Sequence, residues 1–304
     1  MVSDPVPTPK LKPVILIGGN GFLGRAFAAH LDARQREVFV IGRKDWDSGE
    51  AAALATLMKS RLPVIIDMAY ATVPSSSFAD PVEDFTANLG AIIRHLEFAK
   101  ELVVDRYIFV SSGGTIYGDQ GRQPLSEDSH KQPISPYGIT KLASEHYVAM
   151  YRRIKVPTMI VRPSNIYGPG QAPFRGQGLV ATAFGRALQN KPLTLFGDGT
   201  QLRDYLFIDD FCSSLDAVLI RGTIGQSYNL GSGIGTTAAD LLSVIGQSTA
   251  RDGFPLTVTR VDARPFDVDA NVLDVTKMRE YLGVQPQFTL KDGLERTWRW
   301  LRDQ

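Results

Sequence analysis

The sequence predicts an α/β fold in which helices cover both faces of a doubly wound, parallel sheet. Short apolar runs typical of buried strands alternate with longer segments of helical periodicity through the first half of the chain, as in successive βαβ units. The chain has 304 residues, 43% of them hydrophobic, so it can bury a large core as one domain or as two interleaved domains. It therefore has both the pattern and the size of this fold class.

The elements of the first half follow one another as this class requires. Strands are predicted at 14–18, 37–42, 63–68 and 106–111, and helices at 22–34, 50–60, 78–102 and 136–153. The last of these helices begins with Ser135 as its cap and with Pro136 at its first position, where the missing N–H of proline costs nothing.

The regular alternation ends with a fifth strand at 157–163, which prolines bound and a turn-rich segment follows. Beyond it the periodicity predicts a helix near 176–190, short strands between 193 and 207, and a helix that Asp209 caps and that runs to about 220. Helical segments are also predicted near 236–250 and at the C terminus.

Composition excludes several classes of partner. The net charge of +1 provides no attraction for nucleic acid or for an anionic membrane. No apolar run resembles a secretory signal or reaches the length of a membrane span, so we expect a cytosolic protein. The single cysteine, Cys212, cannot form an internal disulfide and is expected inside a helix. Four scattered histidines show no metal-ligand spacing, so no metal is expected.

A glycine-rich turn follows the first predicted strand and leads into the first predicted helix. It reads Gly18-Gly-Asn-Gly21-Phe-Leu-Gly24. In this context Gly18 permits the tight turn, Gly21 lets the backbone approach a pyrophosphate, and Gly24 lets the helix pack on the strand. Free N–H groups at the start of the helix, around Phe22 and Leu23, face the anion. We expect this turn to bind a dinucleotide, NAD or NADP.

The end of the second predicted strand bears on the choice between these cofactors. It reads Gly42-Arg43-Lys44 and lacks the carboxylate that normally binds the ribose hydroxyls there. Two cations in this position tolerate a 2′-phosphate better, so the sequence favours NADP over NAD. NAD stays open, because Asp45 or Asp47 could still reach the ribose.

Residues 135–141 read Ser-Pro-Tyr-Gly-Ile-Thr-Lys and place Tyr137 one helical turn before Lys141. Both side chains then lie on one face of the helix, where the ammonium of Lys141 favours the ionised form of the Tyr137 hydroxyl. A phenol whose pKa is lowered toward neutral pH can act as a proton-transfer catalyst. The same spacing recurs at Tyr151 and Lys155, which we interpret as an exposed helix end, so the first pair needs support from other motifs.

The order of several motifs supplies that support. Gly-x-x-Gly-x-x-Gly and Tyr-x-x-x-Lys in this order resemble the extended short-chain dehydrogenase/reductases, in particular their nucleotide-sugar epimerase/dehydratase branch. Further segments resemble the same branch over nearly the whole chain: Asp67-Met-Ala69-Tyr-Ala71, Asn88, Ser111-Ser112-Gly-Gly-Thr115-Ile-Tyr117-Gly118, Arg162-Pro-Ser-Asn165-Ile-Tyr167, the run from Gly197 to Tyr205, Tyr228-Asn229-Leu-Gly231, Arg264-Pro265 and Leu282-Gly283.

The resemblance implies a Rossmann fold, a bound nicotinamide and a nucleoside diphosphate sugar as substrate. It implies a dinucleotide-binding domain at 1–168 plus about 205–232, and a smaller, interleaved substrate-binding α/β domain at 169–204 and 233–304. The expected cofactor contacts are Gly18, Gly21, Phe22, Leu23, Gly24, Arg43, Lys44, Met68, Ala69, Tyr70, Asn88, Ser111, Tyr137, Lys141 and Pro163. The expected substrate contacts are Asn165, Tyr167, Gln177, Arg203 and Arg264, the arginines because their planar fork matches a diphosphate.

Two departures from the branch's pattern bear on the chemistry. Many relatives carry the catalytic hydroxyl where this chain has Gly113, so the hydroxyl is expected from Ser112 or Thr115, and Ser112 is preferred. The acid pair that dehydratases carry directly after that hydroxyl is replaced by Gly114 and Thr115. Elimination of water needs a proton donor and a base there, so dehydration is disfavoured.

Three functions are compatible with these residues. The leading hypothesis is a nucleotide-sugar epimerase, with a UDP-hexose 4-epimerase as the favoured version, in which Tyr137 takes a sugar hydroxyl proton while hydride leaves to the cofactor. The second is an NADP-dependent reductase of a nucleotide keto sugar, which Arg43 and Lys44 favour. The third is a nucleotide-sensing protein that has kept the fold without catalysis. The intact pair of Tyr137 and Lys141 argues against the third.

A homodimer with two-fold symmetry is expected through the long helices predicted at 78–102 and 136–153, as is frequent in this family. The first of them carries apolar residues, some of which must face the protein's own sheet: Leu89, Ile92, Ile93, Leu96 and Phe98.

Overall fold

The computed structural model describes residues 12–121, 123–264 and 267–304. The central sheet is formed by β1 (Val14–Ile17), β2 (Val38–Ile41), β3 (Val64–Asp67), β4 (Arg106–Val110), β5 (Thr158–Pro163) and β9 (Ser227–Leu230). The helices around it are α1 (Phe22–Asp32), α2 (Arg43–Asp47), α3 (Glu50–Met58), α4 (Pro74–Ala79), α5 (Pro81–Leu102), α6 (Pro136–Arg153) and α8 (Ile208–Arg221).

All six strands of the central sheet are parallel and lie in the order β2-β1-β3-β4-β5-β9. Alternate residues of the strands enter two separate apolar cores. Val14, Leu16 and Ile66 pack on the side of α1 and α8, whereas Ile15, Ile17 and Ile65 pack on the side of α5 and α6. Burial on both faces explains why these strands read as continuous apolar runs. The predicted α/β fold with a doubly wound parallel sheet is confirmed.

The order of the strands identifies where a ligand would bind. From β1 the chain passes to β2 on one side and then returns to β3 on the other side of β1. The connections therefore diverge at the carboxyl ends of β1 and β3, and a crevice opens there. Ligands of open α/β sheets bind at such a switch point.

A second group of elements covers one end of the sheet. It contains β6 (Asn165–Tyr167), α7 (Leu179–Leu188), β7 (Leu193–Phe196), β8 (Leu202–Phe207), β10 (Gly235–Thr237), α9 (Ala238–Arg251), β11 (Val258–Val261), β12 (Ala270–Asn271), α10 (Thr276–Leu282) and α11 (Leu290–Arg302). Strand β8 pairs with β6, β10 and β12, and β7 pairs with β11. The division into two domains at the boundaries given above stays a prediction.

Two predicted helices differ from the structure in detail. The helix expected at 78–102 is divided into α4 and α5, because Asp80 leaves the helical conformation and its side chain caps the new helix on the N–H of Glu83. Pro81 then takes the first position of α5, where it needs no hydrogen-bond partner. Asp209 does not cap α8 but lies in its first turn, where a carboxylate stabilises the helix dipole.

The apolar set expected at a dimer interface is largely internal. Leu89, Ile92 and Leu96 are at most 8% exposed and face the sheet, while Phe98 packs against Trp46. Cys212 is buried inside α8, as predicted. None of the described helices has the length and apolar character that crossing a bilayer requires.

Candidate active site

A cleft of about 590 Å³ opens at the carboxyl ends of β1, β3, β4 and β5 and continues between the sheet and the second group of elements. Most of the site residues predicted from the sequence line it: Gly18, Gly21, Phe22, Leu23, Gly24, Met68, Tyr70, Ser111, Ser112, Thr115, Tyr137, Lys141, Pro163, Asn165, Tyr167, Gln177, Arg203 and Arg264. The fold therefore brings together residues that are up to 246 positions apart in the chain.

The turn between β1 and α1 has the geometry that a pyrophosphate needs. Gly18 has φ +79, and a Cβ there would lie 2.6 Å from the backbone nitrogen of Ala69, so only glycine fits. A Cβ on Gly24 would lie 2.4 Å from Cα of Gly19, which shows how closely α1 approaches the turn. No side chain caps the start of α1. Its first N–H groups thus face the cleft, where helix termini bind anions.

Tyr137 and Lys141 lie one turn apart on α6, and both open onto the cleft. Ser135 caps this helix on the N–H of Gly138, and Pro136 follows as predicted. Nζ of Lys141 donates to the carbonyl of Val110 at 2.9 Å. The same nitrogen lies 4.0 Å from the ring centroid of Tyr70 and 5.9 Å from that of Tyr137. The ammonium is thus enclosed by aromatic faces beside the phenol.

The electrostatics of this pair differ from the prediction in one respect. Burial, and next the carboxylate of Asp84, raise the pKa of Tyr137 above its ordinary value, so the phenol is neutral in this structure. Burial also lowers the pKa of Lys141 to about 8, against the opposing effect of nearby carboxylates. The reason is desolvation, which disfavours both charged forms. The ammonium by itself therefore does not ionise Tyr137.

The second Tyr-x-x-x-Lys copy has quite different surroundings. Tyr151 is 4% exposed and its hydroxyl donates to a carboxylate oxygen of Glu97. Lys155 lies beyond the end of α6 with φ +74. The interpretation of this copy as an exposed helix end is therefore wrong for the tyrosine, which belongs to the core between α5 and the sheet.

Three hydroxyls border the cleft beside Tyr137 at the end of β4 and in the loop that follows. Oγ of Ser111 and Oγ1 of Thr115 are buried and have no partner among the described residues. Ser112 is half-buried. A Cβ on Gly113 would point away, to 2.7 Å from Leu273 and 2.9 Å from the carbonyl of Arg162. Both hydroxyl candidates from the sequence thus reach the cleft, and position 113 cannot supply one.

A buried polar network lies behind Tyr70 and Tyr137. Asp84 on α5 is fully enclosed; its Oδ1 accepts a hydrogen bond from Oγ1 of Thr72, and its Oδ2 has no partner among the described residues. Asn88 bonds the N–H of Ala71 at 2.7 Å and Oγ1 of Thr72 at 2.9 Å. Asn88 was expected to contact the cofactor; in the structure it is not part of the cleft wall and holds the loop at Ala71 and Thr72 from behind.

Three other predicted cofactor residues also lie outside the cleft wall. Arg43 and Lys44 are exposed at the start of α2, and no described carboxylate forms an ion pair with either. Ala69 contributes its backbone, which packs against Gly18 and donates to Asp67. The carboxylate of Asp45 accepts the N–H of Gly42 at 2.6 Å, so it lies at the end of β2.

Cations occupy the far end of the cleft. Arg203 on β8 is mostly enclosed, and burial lowers its pKa. Among the described residues no carboxylate forms an ion pair with it, since its neighbour Asp204 is buried on the other side and accepts N–H groups of Ser232 and Gly233. Arg264, in contrast, is held by Asp267 in a two-pronged ion pair of 2.9 and 3.0 Å. Its partner in the sequence motif, Pro265, lies outside the described residues.

The remaining predicted substrate residues differ in which polar atoms they present to the cleft. The amide of Asn165 donates to the carbonyl of Asp204 at 3.0 Å, which leaves its oxygen toward the cleft. Gln177 is exposed at the rim. The hydroxyl of Tyr167 donates to the carbonyl of Leu290, and the side chain is 2% exposed. Tyr167 therefore borders the cleft with its ring and does not offer its hydroxyl.

Sequence reasoning did not identify several residues of the cleft wall. Ser75 lies across from the loop before α7 and donates to the carbonyl of Gly176 at 2.9 Å. The others lie on α4, in the segment before α6 or in the second group of elements: Phe78, Ile134, Gln171, Thr194, Phe196, Asp267 and Val268. No local pattern marks them, because they become neighbours only when the two groups of elements meet.

The sequence is similar to known proteins along nearly all of its length. The model of the NAD dependent epimerase/dehydratase family matches residues 14–231. A UDP-glucose 4-epimerase from Mycolicibacterium smegmatis is 32% identical, over 95% of this chain and 98% of its own length.

Two solved structures have the same fold over nearly the whole chain. A UDP-glucose 4-epimerase from Thermotoga maritima, crystallised with UDP-glucose, superposes with a TM-score of 0.88 and 28% identity over 96% of this chain and 99% of its own. A dTDP-glucose 4,6-dehydratase from Streptomyces venezuelae with NAD bound gives a TM-score of 0.85 and 27% identity over 96% and 97%.

Proposed function

The chain belongs to the NAD-dependent epimerase/dehydratase family, whose members bind NAD(P), and from that premise we propose that it is a nucleotide-sugar epimerase, most specifically a UDP-hexose 4-epimerase. One observation carries the proposal. Tyr137 and Lys141 open side by side onto a cleft that joins the glycine turn at Gly18 to Arg203, a cation with no ion-pair partner in the described part of the chain. A dinucleotide and a diphosphate would meet at the phenol.

The residues of the cleft have distinct roles in this reaction. A bound nicotinamide would accept a hydride from the sugar carbon and return it to the other face. Tyr137 takes the proton of the sugar hydroxyl, and the positive charges beside it offset the desolvation that keeps the phenol neutral. Lys141 provides one of those charges and would hold the ribose of a bound nicotinamide nucleotide. Arg203 binds the diphosphate, since its guanidinium lies in the cleft wall and forms no ion pair with a carboxylate of the described residues.

We propose that Thr115, rather than the Ser112 preferred from the sequence, bonds the reacting oxygen. Oγ1 of Thr115 is buried and has no partner among the residues that the structure describes, and a buried hydroxyl without a partner costs stability until a ligand satisfies it. Both residues are half-buried as a whole, but the Ser112 hydroxyl is not among the buried hydroxyls that have no partner in the described part of the chain. Thr115→Val is expected to lower kcat more than Ser112→Ala does; equal losses in both variants would contradict this assignment.

The cleft supports epimerisation over dehydration, although dehydratases are among the relatives. Elimination of water needs a donor and a base beside the substrate. Asp267 is the one carboxylate among the described residues of the cleft wall, and it is already paired with Arg264. Gly113, Gly114 and Thr115 occupy the loop beside Tyr137 and carry no acid.

Incubation with a UDP-hexose and a catalytic amount of NADP, or of NAD in a parallel incubation, tests the proposal. An epimerase converts the sugar into its 4-epimer, which NMR identifies, and no reduced cofactor accumulates. A chain that turns over no member of a broad panel of nucleotide sugars, although it binds the cofactor tightly, is instead a nucleotide-sensing protein, as the third hypothesis holds.

A net reductase is the second candidate, and the end of β2 favours it. Arg43 and Lys44 are exposed and unpaired among the described residues, as a site for the 2′-phosphate of NADP requires. A reductase consumes reduced cofactor in proportion to the product formed, whereas an epimerase does not. The incubation described above therefore separates the two, when the amount of cofactor consumed is compared with the amount of sugar that NMR shows to be converted.

On the same ground we propose NADP over NAD as the cofactor, while Asp45 acts against it. The carboxylate of Asp45 lies at the end of β2, where it accepts a ribose hydroxyl or repels a phosphate. Replacing Arg43 and Lys44 by Ala is expected to weaken NADP binding without weakening NAD binding, and Asp45→Ala is expected to strengthen NADP binding. A parent protein that binds NAD clearly more tightly than NADP contradicts the proposal.

A homodimer through α5 and α6 is proposed with a different set of residues from the one read off the sequence. The two helices pack side by side and expose apolar side chains on their outer faces: Val82, Phe85, Ile139, Tyr147 and Met150. Val82 and Phe85 are 72% and 55% exposed. Burying such a face against its copy removes apolar surface from water.

The cytosolic location expected from the sequence stays a prediction.

A further inference from the structure

Directly behind the cleft, a buried carboxylate is held by three donors at the end of β3. Oδ2 of Asp67 accepts a hydrogen bond from the hydroxyl of Tyr107 at 2.5 Å and lies 2.8 Å from Nδ1 of His95. Oδ1 accepts the N–H of Ala69 at 3.1 Å. Asp67 and Tyr107 are fully buried, and His95 is 3% exposed. In the reaction proposed above this carboxylate has no role.

These donors keep the carboxylate ionised. Burial alone would raise the pKa of Asp67, but the nearby His95, the hydroxyl of Tyr107 and the N–H of Ala69 outweigh burial, so the pKa of Asp67 is lowered. A carboxylate that accepts several hydrogen bonds is stabilised in its charged form even without water. Asp67 therefore carries a negative charge inside the protein over the pH range in which enzymes work.

The strand register places this charge beside Lys141. Asp67 on β3 is the partner of Phe109 on β4, and neighbouring strands lie about 4.8 Å apart. Nζ of Lys141 is 5.1 Å from the ring centroid of Phe109. The carboxylate and the ammonium thus flank the same aromatic ring on the face of the sheet that α5 and α6 cover.

We propose that Asp67 is a positioning residue for the reaction proposed above, on which this inference rests: its buried carboxylate is the counter-charge that keeps Lys141 an ammonium ion. Lys141 is 3% exposed. Its hydrogen bond to an oxygen is made with the uncharged carbonyl of Val110, and its other close neighbours are aromatic rings. An ammonium in such surroundings loses its proton easily unless a negative charge lies close.

Other ionisable groups face Lys141, but they act less strongly. On α6 itself Glu145 is engaged by Arg162 through bonds of 3.0 and 2.7 Å. On α5 Asp84 accepts from Thr72. Among the charges that raise the pKa of Lys141 against the effect of burial, Asp67 comes first, ahead of Glu145 and Asp84. The remaining groups, the phenols of Tyr70 and Tyr137, have raised pKa values and are neutral.

A merely structural role for Asp67 makes a different prediction, because Asp67 also holds the loop at Ala69 that packs on Gly18. A structural role lowers stability and cofactor binding at all pH values alike. A counter-charge moves the pH at which Lys141 loses its proton. The alkaline limb of kcat/KM separates the two, since it reports the ionisation of a group that the free enzyme needs in its protonated form.

The test compares Asp67→Asn with Tyr107→Phe. Tyr107→Phe removes one hydrogen bond to Oδ2 but leaves the carboxylate charge, so it serves as the matched control. We expect the alkaline limb of Asp67→Asn to shift to lower pH by about one unit or more, because a nearby opposite charge moves a pKa by about one to three units. The limb of Tyr107→Phe stays at the pH of the parent. An unmoved limb in Asp67→Asn, or an equal shift in Tyr107→Phe, overturns the proposal.

A second measurement needs no turnover, so it stands even if the proposed function fails. Urea unfolding of Asp67→Asn, Lys141→Met and the double variant forms a cycle that measures the coupling of the two residues. We expect the double variant to be less destabilised than the sum of the single ones, since each single variant leaves one buried charge alone. If Asp67→Asn alone does not fold, the double variant is expected to fold. Additive losses, or a double variant that also fails to fold, overturn the proposal.

Discussion

At the scale of single residues, the two Tyr-x-x-x-Lys copies of α6 show how surroundings decide chemistry. Tyr137, at the start of α6, opens onto the cleft beside an enclosed ammonium. Tyr151, near the end of the same helix, donates a hydrogen bond to Glu97 on α5. The spacing is identical in both. What differs is the end of β4, which brings the carbonyl of Val110 and the hydroxyl of Thr115 to the first copy.

Tyr137→Phe tests the role of the phenol. The variant is expected to lower kcat by about 10²- to 10⁴-fold, the usual contribution of a positioned acid–base group, while cofactor binding is retained. Stopped turnover assays with NMR detection of the sugar measure it. Tyr151→Phe is the matched control: it loses a hydrogen bond worth about 1 kcal/mol of stability but keeps the rate of the parent. Similar rate losses in both variants would contradict the assignment.

The lowered pKa of Lys141 predicts how the rate depends on pH. Lys141 acts as an ammonium ion, which exists below its pKa of about 8. The value of kcat/KM is therefore expected to fall as the pH rises through about 8. Lys141→Arg removes this fall from whatever activity remains, because a guanidinium keeps its charge throughout this range. A rate that does not fall over this range in the parent enzyme would contradict the prediction.

Asp84→Asn is expected to move the alkaline limb of kcat/KM to lower pH. Burial lowers the pKa of Lys141, and the carboxylate of Asp84 opposes this effect, after Asp67 and Glu145. Removing the negative charge therefore lowers the pH at which Lys141 loses its proton, by less than Asp67→Asn does. Measuring kcat/KM through the alkaline limb checks this; a limb that moves as far as that of Asp67→Asn would contradict the order of the two carboxylates.

At the scale of an element, the turn between β1 and α1 depends on a backbone conformation. Gly18→Ala combines a positive φ with a Cβ placed 2.6 Å from Ala69, so a loss of about 1–3 kcal/mol of stability and weaker NAD(P) binding are expected. Gly246→Ala on α9 is the control. Apart from its chain neighbours and the backbone of its own helix, no atom of the described residues lies within 4 Å of its Cβ position, and a helical alanine adds up to about 1 kcal/mol of stability. Thermal unfolding and cofactor titration measure both variants.

At the scale of the whole molecule, the outer face of α5 and α6 predicts association. Phe85→Glu together with Met150→Glu is expected to convert a dimer into a monomer, because each protomer would then bury two charges in the proposed interface. Light scattering at micromolar concentration measures the mass. Tyr281→Glu on α10, a residue 71% exposed and on another element, should leave the mass unchanged. A parent protein that is itself monomeric would contradict the dimer.

The sequence by itself determined the parallel sheet, the turn at Gly18 and the helix that carries Tyr137 and Lys141, because apolar periodicity, glycine geometry and helix caps act over a few neighbouring residues. Only the tertiary structure decided that Asn88 lies behind the loop at Ala71, that Tyr167 turns its hydroxyl away, and that Asp67 pairs with Phe109, the ring that Lys141 approaches. These outcomes depend on which strands and helices become neighbours, and on how burial sets the charge of each group. Contacts of that range leave no local pattern in the chain.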